Sequence, residues 1–288
     1  MSSASELHAG LLALLLVGAM AGAGARDAMA ATVSADTGAT LRVCADPNNL
    51  PFSDEHGRGF ENALAQLVAH DLHRTVAYTW WPQRRGFVRH TLKAHACDVI
   101  MGVPSAMEMV QATQPYYRSS YVFVTRRDRH LDIRSFDDPR LRALRIGIHA
   151  VGDDYANVPP AVALARRGIV DHLRGYSLYG DYSKAAPARS LIDAVADGSI
   201  DVAIAWGPFA GYFAHDEKTP LTIHPVEGIT DPALAMQYDI SMGVRKDDAA
   251  LRNALDGVIA RDRGAIDTLL ARYGIPTVAA DPTSDGRR

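Results

Sequence analysis

Residues 41–80, LRVCADPNNLPFSDEHGRGFENALAQLVAHDLHRTVAYTW, hold the pattern that decides the fold. The apolar run at 41–45 (LRVCA) reads as a strand, and 46–51 (DPNNLP) is dense turn chemistry. Over 60–72 the period becomes helical, with Phe60, Leu64, Leu67, Val68 and Leu72 on one face. Residues 76–80 (VAYTW) return to a strand. Further along, a helix is expected near 86–95 and a third strand at 97–102 (CDVIMG). Strand, helix, strand, helix, strand implies parallel pairing through crossover connections.

The alternation then restarts. Strands are expected at 121–124 (YVFV), 144–148 (LRIGI), 201–206 (DVAIAW) and 240–244 (ISMGV), with helices at 160–167 and 187–196 and a looser stretch at 215–236. Two amphipathic helices close the pattern between 247 and 273, one built on Leu251, Leu255, Val258 and Ile259, the other on Ile266, Leu269 and Leu270. Two successive α/β units predict two lobes with a cleft between them. The first lobe takes residues 40–121 and, on the chain's return, 242–278; the second takes 122–241, and 279–288 is a polar tail. Parallel sheets bind ligands beyond the carboxyl ends of their strands. The loops at 46–52, 80–86, 102–105, 149–155 and 206–209 would therefore face the cleft.

Composition narrows the class. The chain has 288 residues, with 30 Lys and Arg against 33 Asp and Glu, for a formal net charge of −3. That balance lacks the basic face that nucleic acid requires, so no nucleic-acid partner is expected. Hydrophobic residues make up 48%, too many for a disordered chain. Residues 11–25 (LLALLLVGAMAGAGA) are apolar but shorter than the roughly 20 residues of a bilayer span. With the small residues of 28–30 (AMA) behind them, they read as a signal peptide over 1–30. The leading segment carries Glu6 and His8 but no Lys or Arg, and a buried N-terminal helix is the alternative. No later run reaches about 18 apolar residues, so the exported chain is expected in the periplasm and not spanning a membrane. In that oxidising compartment Cys44 and Cys97, on neighbouring strands, are expected as a disulfide. Cys44 stands late in its strand and Cys97 early, which leaves separate buried thiols as the alternative.

Chemistry-bearing patterns are sparse. No GxSxG, HExxH, Walker A or dinucleotide-binding signature occurs, and no cofactor is expected. His70 and His73 are three apart on a helix without further ligands, which suits an exposed face. Asp46, Asn48 and Asn49, and Asp153 and Asp154 in another post-strand loop, offer oxygen donors. Neither loop has calcium-site spacing, and turn and capping roles account for both without a metal. The run 80–85 (WWPQRR) is the least ordinary. Trp80, Trp81, Arg84 and Arg85 either stack on and clamp a planar polyanion or partner protein, or serve as core and structural ion pairs. Alternate strand residues face opposite sides, so at most one of the two tryptophans is expected in the core. The aromatic set Tyr116, Tyr117, Tyr121, Trp206, Phe209, Tyr212 and Phe213 falls near the crossovers, either lining the cleft or packing the hinge.

Over residues 40–278 the order and spacing resemble the type II periplasmic substrate-binding proteins of ABC importers. Six blocks carry a closer likeness: CADPNNLPFS (44–53), GFEN (59–62), YTWWPQRRGFVR (78–89), CDVIMGVP (97–104), PYYRSSYVFVTR (115–126) and WGPFAGYF (206–213). In these the chain resembles the quinoprotein dehydrogenase-associated binding proteins, the MxaJ- and XoxJ-like accessory proteins of methanol oxidation. The resemblance implies an α/β type II periplasmic-binding-protein fold, two α/β lobes joined by a two-strand hinge, and no enzymatic activity. It also implies partners: a PQQ-dependent methanol or alcohol dehydrogenase, its c-type cytochrome or its cofactor, with room for a small molecule in the cleft.

The same resemblance marks a departure. Amino-acid importers follow the third strand with an Arg that grips the substrate carboxylate, whereas 102–109 here reads GVPSAMEM. Where those proteins place an Asp for the amino group, this chain has Trp206, Gly207 and Pro208. A buried carboxylate needs a paired cation or several donors, so a free amino acid is not the expected ligand. The residues expected to bind a ligand or partner are Asp46, Asn48, Asn49, Phe52, Trp80, Trp81, Arg84, Arg85, Ser105, Tyr117, Asp153, Asp154 and Trp206. Two other readings stay open: an importer subunit for a small non-amino-acid solute, and a dehydratase-type enzyme with Asp46, Glu61 and Asp154 as candidate acids and bases.

Overall fold

The computed structural model describes residues 39–150, 158–178, 182, 186–229 and 231–279. The expected signal peptide, Asp153, Asp154 and the tail beyond 279 lie outside the described residues. Strand β1 (Thr40–Ala45) ends fully buried, and a small clip follows, β2 (Asn48–Asn49) against β3 (Ser53–Asp54). Helix α1 (Phe60–Asp71) begins where the Asn62 side-chain oxygen accepts from the backbone N–H of Gly59 at 3.1 Å and of Asp54 at 3.0 Å, pinning the helix start to the clip. Gly59 is required there, because a Cβ would stand 2.0 Å from the Phe52 carbonyl oxygen. Strand β4 (Thr75–Trp80), helix α2 (Phe87–His90), strand β5 (Val99–Pro104), the short β6 (Gln111–Ala112) and the long β7 (Tyr117–Arg126) complete the first pass.

The helix expected over 86–95 shrinks to one turn. Beyond it the chain turns back until the Asp98 N–H donates to the Arg42 carbonyl at 2.7 Å, just before β5 starts. Cys97 therefore precedes its strand instead of standing in it. It meets Cys44 with the Cα atoms 5.4 Å apart, and the two form a disulfide. Cys44 is opposite Ile100 in the ladder, so the bridge ties β1 to the approach of β5.

The second pass runs through β8 (Ile146–Ala150), α3 (Pro159–Ala165), β9 (Leu173–Ser177), α4 (Ser190–Ala196), β10 (Val202–Trp206), α5 (Gly207–His215), β11 (Leu221–Pro225) and β12 (Gln237–Val244), then α6 (Ala249–Arg261) and α7 (Arg263–Arg272). Strand β1 pairs in parallel with β4 and β5, and β8 in parallel with β9 and β10. The full path is β4-β1-β5-β12-β7-β10-β8-β9. Strand β7 belongs to both sheets: residues 117–120 pair with β12, and residues 121–125 pair with β10. The result is the expected type II architecture, two α/β lobes connected through a pair of antiparallel strands. The first lobe's core joins Leu41, Val43, Phe60, Leu64 and Val68 to Leu255, Val258, Ile259, Ile266 and Leu270, so α6 and α7 return to close the lobe the chain left. Each such side chain contributes about 1.5–3 kcal/mol by leaving water.

Three elements depart from expectation. Residues 206–209, expected as a loop, end β10 at Trp206 and, from Gly207, open α5, whose Pro208 stands in the first turn where no N–H is needed. The stretch 215–236 contains β11, which flanks β7. Strand β9, mostly exposed and carrying Gly175, extends the second sheet beyond β8.

Candidate functional site

The two lobes enclose a cavity of about 420 Å³. The first lobe contributes Asn49, Phe52, Glu61, Gln83, Gly102, Val103 and Pro104, the connecting strands contribute Tyr117, Tyr121, Tyr238 and Ile240, and the second lobe contributes Leu178, Trp206 and Phe209. Phe52 and Trp206 pack against cores of both lobes. The rings stand across one another: Phe52 and Phe209 lie 5.1 Å apart at 82°, Tyr121 and Trp206 5.4 Å apart at 62°, and Trp206 and Tyr238 5.8 Å apart at 70°. Edge-to-face packing of this kind fixes the positions of rings that line the cavity.

Among the described lining residues Glu61 is the one charged side chain. It occupies the first turn of α1 on the stripe that continues through Leu64, Ala65 and Val68, all buried. Its carboxyl comes against β5 at Gly102, where a Cβ would lie 2.0 Å from Oε1; Tyr116 Oη is 3.6 Å from the same point. The glycine thus keeps open the space the carboxyl uses. No described residue donates a hydrogen bond to that carboxyl, and burial pushes its pKa up to about 8. The hydroxyls of Tyr116 and Tyr117 are buried without a hydrogen-bond partner among the described residues, and burial, then the neighbouring Glu61, raises both well above the ordinary tyrosine value.

The mouth of the cleft is built differently. Asp46, 1% exposed, accepts from the backbone N–H groups of Asn48 at 2.8 Å and Gln83 at 2.6 Å, and from the Tyr182 hydroxyl at 2.9 Å. Burial and then the Asp46 carboxylate raise the Tyr182 pKa, and the Arg84 guanidinium lies 5.5 Å from the centre of its ring. The Asn48 side-chain oxygen accepts from the Ala186 N–H at 3.1 Å, and the Asn49 amide donates to the Gln83 side-chain oxygen at 2.9 Å. Residues 46–49 of the first lobe therefore hold residues 182 and 186 of the second.

Of the residues singled out in the sequence, Asn49, Phe52, Tyr117 and Trp206 line the cavity, while Asp46 and Asn48 shape its mouth. Trp80 is half-buried against the first core and stacks on Tyr78 at 4.5 Å; Trp81, 42% exposed, stacks on His90 at 5.3 Å. Arg84 and Arg85 are exposed. Ser105 bonds the Ser241 hydroxyl at 2.6 Å and the Asp239 carbonyl at 3.0 Å, closing the β5–β12 ladder. Of the three carboxyls weighed for a dehydratase, Glu61 lines the cavity, Asp46 is committed to the mouth and Asp154 lies outside the described residues. Gln83 and Gly102 fall in loops expected to face the cleft without being singled out, and Leu178 and Tyr238 went unnoticed; Tyr238 follows from the antiparallel register that seats it opposite Ser119.

Comparison with known proteins places this geometry. Residues 41–275 match the profile of the bacterial extracellular solute-binding proteins, family 3. The chain belongs to that family. Within the solute-binding proteins of family 3, it is 32% identical over 295 residues to the protein MoxJ of Methylorubrum extorquens AM1, covering 96% of this chain and 95% of that one. The crystal structure of the periplasmic binding protein XoxJ from Methylobacterium extorquens AM1 is 35% identical with a TM-score of 0.69, covering 83% of this chain and 100% of XoxJ. That of MxaJ from Methlophaga aminisulfidivorans MPT is 25% identical with a TM-score of 0.73, again covering 83% and 100%. Among the described residues no helix is long and apolar enough to cross a membrane.

Proposed function

We propose that this chain is a periplasmic, non-catalytic accessory protein of a PQQ-dependent methanol or alcohol dehydrogenase system. It acts by binding the dehydrogenase, its c-type cytochrome or its cofactor, with lobes spanning 40–121 plus 242–278 and 122–241. The observation that carries this reading is the end-to-end likeness to MoxJ, matched in the fold by XoxJ and MxaJ. The cavity supports it from the other side: its described lining offers no Lys, Arg or His for the carboxylate of a free amino acid. Co-purification with the cognate dehydrogenase and cytochrome, together with dehydrogenase activity in a strain lacking this chain, tests it. Association or lost activity is expected; an intact dehydrogenase that neither binds the chain nor changes activity without it overturns the reading.

A second reading, an importer subunit for a small non-amino-acid solute, is favoured by the enclosed 420 Å³. Neighbouring genes separate the two: a quinoprotein dehydrogenase and cytochrome c beside this gene support the first, a permease and ATPase the second.

A further inference from the structure

Binding a dehydrogenase leaves unexplained why the cleft keeps a carboxyl that no described residue pairs. Glu61 faces the aromatic-lined cavity, no described side chain donates to it, and Gly102 leaves it room. Two phenol groups nearby, on Tyr116 and Tyr117, are likewise buried without a hydrogen-bond partner among the described residues, and Tyr117 is 6% exposed and part of the lining. A chain under no outside demand would fill such a site with an apolar residue or supply a donor.

We propose that the cavity binds a small monovalent organic cation, an alkylammonium or quaternary ammonium compound without a carboxylate, with Glu61 as its counter-ion and Tyr121, Trp206 and Tyr238 as its aromatic walls. This rests on the binding-protein reading of the cleft and names the class of its small ligand. The walls suit the charge. Tyr121, Trp206 and Tyr238 pack edge-to-face at 5.4 and 5.8 Å and all three line the cavity, so a bound cation would meet rings whose π-faces carry the negative part of the quadrupole. The described lining has no cationic side chain, which disfavours anions and zwitterions alike. One carboxylate is also far short of the six or more oxygens a calcium-like ion takes. The volume, about 420 Å³, lies within the range of small-ligand pockets.

A proton count follows. The empty site holds Glu61 protonated below about pH 8, and a bound cation requires the carboxylate, so binding releases a proton and tightens as pH rises toward that value. The other titratable groups around Glu61 among the described residues are tyrosines: Tyr78 on β4, Tyr116 just before β7, Tyr117 and Tyr121 on β7, and Tyr238 on β12. The described lining from β5, β10 and α5 carries none.

Calorimetry on the purified full chain with three probes of one shape tests this: choline, its uncharged carbon analogue 3,3-dimethylbutan-1-ol, and glycine betaine. Choline is expected to bind at one site, about tenfold or more tighter than either other probe, with proton release seen as a buffer-dependent heat. Glu61→Gln is expected to abolish the preference and the proton release, and Trp206→Ala to weaken choline. Absence of choline binding up to about 50 mM, equal binding of the neutral analogue, or an unchanged preference in Glu61→Gln overturns the proposal. If Glu61→Gln does not fold, the ranking of the three probes on the unmodified chain decides alone. Failure here leaves co-purification with the dehydrogenase intact, and failure there leaves the probe ranking intact, so the two readings fall separately.

Discussion

Asp46 and Glu61 are carboxyls taken from water around one cleft, and their surroundings differ completely. Asp46 ends in a turn where two backbone N–H groups and a hydroxyl from the opposite lobe converge on its oxygens. Glu61 rides the apolar stripe of a helix, where the neighbours one turn away are Leu64 and Ala65 and supply no donors. The turn brings backbone donors to Asp46, whereas the first-turn N–H groups beside Glu61 are already donated to the preceding loop, Phe60 to the Pro51 carbonyl and Glu61 to that of Phe52. The contrast separates a carboxyl that holds the lobes together from one left open toward the cavity.

Variants can break that contrast. The reference effect is the largest: replacing Cys44 and Cys97 by Ser frees a 53-residue separation and should lower stability by about 4 kcal/mol, read as a fall in the denaturant midpoint under oxidising conditions. Asp46→Ala comes next. It strands the N–H groups of Asn48 and Gln83 and the Tyr182 hydroxyl, for an expected loss of about 3 kcal/mol, and a midpoint equal to wild type would remove Asp46 from the architecture.

Glu61→Gln should act with the opposite sign and only at high pH. The folded carboxyl is raised from 4.5 to about 8, so its stabilising share is complete below about 4.5 and disappears as pH rises through 8. At pH 9 the glutamine variant should be more stable by about 2 kcal/mol, less than bare linkage gives because the carboxyl is only half-buried; at pH 4 it should gain nothing. On the acid side His149 works the other way. Buried, with Nε2 3.0 Å from the Ala188 carbonyl and its pKa lowered to about 4, it stabilises the fold above about 6.5 and loses that share as pH falls toward 4, in wild type and variant alike. Trp81→Ala, at an exposed ring stacked on His90, should cost about 0.5 kcal/mol or less by thermal melting.

The order of strands and helices was legible because period-2 and period-3.6 runs alternate cleanly from residue 41 to 104. What escaped was weakly patterned. Helix α5 is apolar nearly all round, so it has no stripe, although Pro208 in its first turn was a start signal. Strand β9 contains Gly175, and β11 ends in Pro225, both features that weaken a strand reading. Phe52, Tyr117 and Trp206 could be placed at the cavity from the blocks around them, but Tyr238 depends on strand pairing distant in sequence. Glu61 was named only among three candidate acids and bases, with nothing to choose between them; its place as a lone charge at the i position of an i+3, i+4, i+7 apolar set is what distinguishes it.

Strand β7 carries one more lesson. Tyr117 and Tyr121 line the cavity, yet between them lie the three residues, 118–120, after which the strand leaves one sheet's ladder for the other's. Descendants of this protein cannot freely remodel that stretch to accept a new molecule without also disturbing the joint between the lobes. Diversification of what the cavity accepts should therefore accumulate at Leu178 and Phe209, which lie outside the strands that join the lobes.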